Sequence, residues 1–125
     1  MTDEHTTVVD FVARGRSEEE WELVLVEEGP WSKDILEDQL KRVQGRLYGS
    51  VDAALDGQVA DRFPESLGKK IVIQLDCYNL PRAEVEEFFA RFSKGALQGP
   101  DYQKALRNSK FVRGIQLRVK FESIN

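Results

Sequence analysis

Two periodicities follow one another along this chain. Over residues 21–26 the pattern alternates, with Trp21, Leu23 and Leu25 on one face and Glu22, Val24 and Val26 on the other. That two-residue period predicts a strand. Gly29-Pro30 breaks it. From Leu36 the spacing becomes helical: Leu36, Leu40, Val43, Leu47, Val51 and Ala54 fall on one stripe. Ser32 stands where a helix N-cap is needed, and Trp31 and Leu36 have the spacing of a hydrophobic staple. Asp34, Glu37 and Asp38 sit near the positive helix end, and Gly57 is a natural stop.

The same reading extends to both sides. Residues 7–13 predict a first strand, with Val9 and Phe11 facing inward and Val8, Asp10 and Val12 facing outward. The link at residues 14–20 is short, so a β-hairpin follows. After residues 58–70, anchored by Val59, Phe63 and Leu67, a third strand covers residues 71–77. Ile71, Ile73, Leu75 and Cys77 alternate there with Val72, Gln74 and Asp76. Asn79 and Pro81 open a second helix with the stripe Val85, Phe88, Phe89 and Phe92, ending at Gly95. Pro100 begins a short further helix. The last strand, residues 112–121, turns Ile115, Leu117, Val119 and Phe121 inward and Gln116, Arg118 and Lys120 outward.

The order ββαβαβ predicts an α+β domain of two layers, with helices on one face of a mostly antiparallel four-stranded sheet. A chain of 125 residues predicts one domain spanning 1–125, with a loose N-terminus at residues 1–6.

The chain resembles a family of small bacterial α+β proteins that has no assigned function. The features that carry the resemblance are Val9-Asp10-Phe11, Trp31, Gln44, Leu47, Val51, Gly57, Phe63-Pro64 and the run from Gly68 through Ile73. The segment at residues 93–110 is longer than the family pattern. The resemblance implies the fold and no activity.

Composition excludes some classes. No apolar run approaches the roughly 20 residues a membrane helix needs, and the acidic N-terminus does not read as a signal peptide. Cys77 is the only cysteine, which excludes an internal disulfide and fits a reducing cytoplasm. Net charge is −4, unevenly placed: residues 1–40 hold 12 acidic and 3 basic side chains, residues 41–125 hold 10 and 15. The two halves can neutralise each other in the fold, or the imbalance can steer a partner.

Candidate chemistry is sparse. Asp76 beside Cys77 opposes thiolate formation, so Cys77 reads as a small core residue. One histidine, His5, and one cysteine do not make a zinc site. Glu18-Glu19-Glu20 lacks the spacing of a calcium loop. Gly45, Gly49 and Gly57 match no phosphate loop; Gly45 and Gly49 sit in the long helix and imply either a close-packed partner or a tolerated weak point. No catalytic, cofactor or metal residue is assigned.

The outward sheet face is the leading candidate site. Val24, Val26 and Val72 form an apolar patch there, bordered by Gln74, Gln116, Arg118 and Lys120. This predicts a non-catalytic cytoplasmic interaction domain that binds a protein partner or a second copy, with an acidic corner at residues 18–28 steering a basic partner. Small acidic proteins that neutralise a toxin or nuclease would suit such a surface. The alternative is a nucleic-acid binder using Arg113, Arg118 and Lys120, the end of a basic run that also holds Lys104, Arg107 and Lys110. A small enzyme with a cleft between helices and sheet ranks last.

Overall fold

A computed structural model gives the structure of residues 9–122. The expected loose residues 1–6 and the first two residues of the expected first strand, 7 and 8, lie outside the described residues. Four strands form one sheet in the order β1-β2-β3-β4: β1 is Phe11–Arg14, β2 Glu20–Glu28, β3 Lys69–Tyr78 and β4 Val112–Glu122. Helix α1 (Lys33–Leu55) and a short α2 (Gln58–Arg62) connect β2 to β3. Helices α3 (Arg82–Leu97) and α4 (Pro100–Asn108) connect β3 to β4. The short helix expected at Pro100 is therefore present.

The architecture is α+β with helices over the sheet, but the sheet is mixed. Only β1 and β2 are antiparallel; β2, β3 and β4 run parallel. This corrects the expected, mostly antiparallel arrangement. The physical reason is the length of the connections. A tight turn serves antiparallel neighbours, whereas parallel neighbours need a crossover long enough to return the chain to the same end. The helical segments after β2 and after β3 are such crossovers. Both advance across the sheet in one direction, and right-handed crossovers then place both helices on the same face.

The core lies between that face and the helices. Leu23, Leu25, Ile71, Ile73, Leu75 and Cys77 meet Val43, Leu47, Val51 and Ala54 of α1 and Val85, Phe89 and Phe92 of α3. The expected helical stripe thus reaches the core, with Leu36 and Leu40 at its half-buried start. Ser32 occupies the N-cap position of α1, but its hydroxyl makes no capping hydrogen bond. Asn79 does not cap α3; it takes a left-handed turn, and Pro81 is the N-cap residue. Leu67, expected as an anchor, is exposed. Gly57 ends α1 in the left-handed conformation, at φ 96°. A Cβ there would stand 2.8 Å from the Phe111 ring.

Val9 packs against the core as expected, but the strand that follows is turned over. Phe11 pairs with Val24 and Val12 with Leu23. Opposed residues share a face. Val12 therefore lies on the helix side, against the core, and Phe11 lies on the helix-free side.

Candidate functional site

The seven candidate residues of the outward face do share one face, together with Asp76. The register sets Val24, Gln74 and Arg118 in one row, Val26, Asp76 and Lys120 in the next, and Val72 beside Gln116. Asp10 and Val12 do not join them, and Val8 lies outside the described residues. No described helix covers this face.

Its chemistry differs from an apolar patch. Val72 is 1% exposed and Val24 9%. Long polar side chains close over them. Arg118 Nε donates to Gln74 Oε1 at 2.6 Å, and Arg118 Nη2 donates to Glu22 Oε2 at 3.0 Å. Gln74 Nε2 donates to Asp76 Oδ1 at 2.6 Å. On the next row Lys70 Nζ donates to Gln116 Oε1 at 3.0 Å and pairs with Glu20 Oε2 at 2.9 Å. That pairing and its hydrogen bond hold the Glu20 carboxyl below its ordinary range. The face is thus a hydrogen-bonded polar platform over the buried Val24 and Val72, with Val26 half-buried beside them. The misreading has a plain cause: a central strand hides a short side chain beneath longer neighbours on either side. One apolar group does protrude, Phe11 of β1, at 60% exposure.

The charge candidates dissolve into pairs. Arg118 is held by Glu22, Arg113 lies 3.4 Å from Glu19, and Lys120 lies 3.3 Å from Glu122. Lys104 and Arg107 belong to α4, in the helix layer. The six basic residues therefore do not make one stripe. The acidic corner is divided in the same way. Glu20 and Glu22 join the platform, and Glu27 is buried on the opposite face.

Glu27 is the residue that sequence reasoning missed. It is 4% exposed and sits between two guanidinium groups of α1. Both Arg42 terminal nitrogens donate to its carboxylate, and Arg46 Nη1 donates to its Oε2 at 2.7 Å. Arg46 also donates to the Val26 carbonyl oxygen and to Asp10 Oδ2. Asp10 in turn accepts the Val26 N–H at 2.8 Å. Partial burial pushes the Asp10 carboxyl up, but these hydrogen bonds and the Arg46 charge outweigh it and hold it below its ordinary value. The cluster fastens β1, β2 and α1 together. Its signal was available: continuing the alternation Trp21, Leu23, Leu25 by two residues lands on Glu27.

A groove of about 570 Å³ opens between β1 and the end of α1. Val12, Leu23, Val59 and Phe63 line it, with Asp52 and Asp56 among its polar groups. Partial burial raises the Asp52 carboxyl above its ordinary value, and the nearby Asp56 charge adds to this. Gly49 lies in the same wall. A Cβ at Gly45 would meet nothing within 4 Å, so no described part of this chain packs closely against that glycine.

Cys77 lies away from the helix-free face, buried in the core at 1% exposure. Burial pushes that thiol up to about 12, with the charges of Asp76 and Glu27 acting in the same direction. Among the described residues no group of three or more His, Cys, Asp or Glu side chains is placed to hold a metal ion. No described helix is long and apolar enough to cross a membrane. No protein-family model, curated protein or solved structure matches the chain.

Proposed function

We propose that the protein is a non-catalytic interaction domain that binds a protein partner through the helix-free sheet face. The observation that carries this reading is the combination of a fixed polar platform with one protruding aromatic, Phe11. Side chains already held by one another lose little freedom on contact, which lowers the ordering cost of association. An exposed aromatic beside such a surface is the residue type that anchors interfaces. Platform charges are nearly balanced, so a partner would be recognised by shape and hydrogen bonding. A broad excess of charge is not needed. The reading places the working protein in the cytoplasm, in keeping with its single cysteine.

The experiment is comparative capture from the native host's lysate, with and without nuclease treatment. The bait is the wild-type chain or the double variant Phe11→Ser, Lys120→Glu. Both positions are exposed, so the urea midpoint should change little. The expected result is a stoichiometric protein held by the wild type and lost by the variant. Equal retention by the variant would remove the face from consideration. Retained material that vanishes with nuclease would favour the nucleic-acid alternative.

A further inference from the structure

The sheet has two edges, and they are unlike. The β1 edge is four residues long. The β4 edge is 11 residues long, and among the described residues nothing pairs with its outer side. A strand at an edge presents a row of free N–H and C=O groups, and folded proteins blunt such rows by shortening, bulging, charging or covering them. β4 carries its irregularity only at its start, where the register shifts between Lys69 and Lys70. From Gly114 onward it pairs regularly with β3. Its central charge, Arg118, is no guard, because it is drawn across the platform to Glu22 and Gln74. Ile115, Leu117 and Val119 remain half-buried on the helix side.

We infer that β4 pairs antiparallel with β4 of a second copy, joining two sheets into one of eight strands about a two-fold axis at Leu117. The register follows from side-chain chemistry. A two-fold axis perpendicular to the sheet keeps both platforms on one side, so opposed residues must share a face. An axis at Arg118 would set that cation against its own copy. An axis at Val119 would set Arg118 against Lys120. An axis at Leu117 opposes Gln116 with Arg118, Gly114 with Lys120 and Ile115 with Val119. It leaves no like charges opposed, and it uses the regular part of the strand. The amide oxygen of Gln116 can then accept from the neighbouring Arg118, which retains a free guanidinium edge. The assembly presents a single platform of double width. This inference does not require the partner-binding reading above, since the edge and Phe11 lie at opposite ends of the sheet.

The test is sedimentation equilibrium across a concentration series, on the wild type and on two variants at the exposed Gln116. Gln116→Glu opposes a carboxylate to Arg118 twice per dimer and should tighten the dimer. Gln116→Arg opposes like charges twice and should weaken it, each by about tenfold. The register has its own test. Opposed Cα atoms in antiparallel strands lie about 4.5–5.5 Å apart, within disulfide range. Leu117→Cys should therefore cross-link to itself under mild oxidation, and Val119→Cys should not. A monomer at every concentration would overturn the inference. So would a dimer that ignores both charge changes, or equal cross-linking at the two positions.

Discussion

Glu27 shows how much one residue can decide. Its carboxylate is buried on the core side and balanced by Arg42 and Arg46. Removing one partner of a buried pair leaves the other charge uncompensated, which costs about 3 kcal/mol or more. Glu27→Ala should lower the stability measured by urea unfolding by about that amount. Arg42→Ala should cost less, because Arg42 is half exposed and Arg46 still reaches the carboxylate. If Glu27→Ala unfolds at the wild-type midpoint, the cluster is not what fastens α1 to β2. At this scale the chain was partly legible. Cys77 announced itself as a core residue through its alternation with Ile71, Ile73 and Leu75. Glu27 continues the alternation of Trp21, Leu23 and Leu25, but a charged side chain past the end of an apolar run reads as solvent-facing until its two arginines, one helical turn apart, are seen beside it.

Among the elements, the two glycines that bracket the second half of α1 should respond with opposite signs. Gly45 lies inside the helix, with open space where a Cβ would go. Gly45→Ala should stabilise by about 1 kcal/mol, the helix-propensity difference. Gly57 has a positive φ and the Phe111 ring against it. Gly57→Ala should destabilise by more than about 1 kcal/mol. Thermal or urea unfolding of the two variants gives both signs directly, and a stabilising Gly57→Ala would contradict the conformation of that turn. Most of the elements were readable, since α1, β2, β3, α3 and β4 each show several apolar positions in one phase. Two features were hidden. β1 is an edge strand with apolar residues in both phases, so the pattern leaves its facing undecided. What fixes it is Asp10, held by Arg46 and the Val26 N–H on the helix side. Parallel pairing was hidden as well, because alternation within a strand does not specify the direction of its neighbour. Connection length does, and both crossovers are long enough to carry a helix.

For the whole molecule, the uneven charge along the chain becomes pairing across the sheet. Acidic residues of the first 40 positions meet basic residues from later ones at Glu22–Arg118, Glu20–Lys70, Glu19–Arg113 and Glu27–Arg46. Those pairs also bear on the order in which the chain assembles. Arg118 reaches Gln74 across 44 residues of chain and Glu22 across 96. Closing such loops consumes chain entropy before the contacts can return it, so distant pairings tend to form late. Contacts absent from the folding transition state act on the unfolding rate alone. Arg118→Ala should therefore steepen the loss of the native state: stopped-flow measurements should show faster unfolding in urea with an unchanged refolding limb. A slowed refolding limb would mean that the platform forms early and guides β4 into place. On the expected outcome, the same salt links that smooth the open face serve as a latch on the finished fold, setting how long the native state lasts once it has formed.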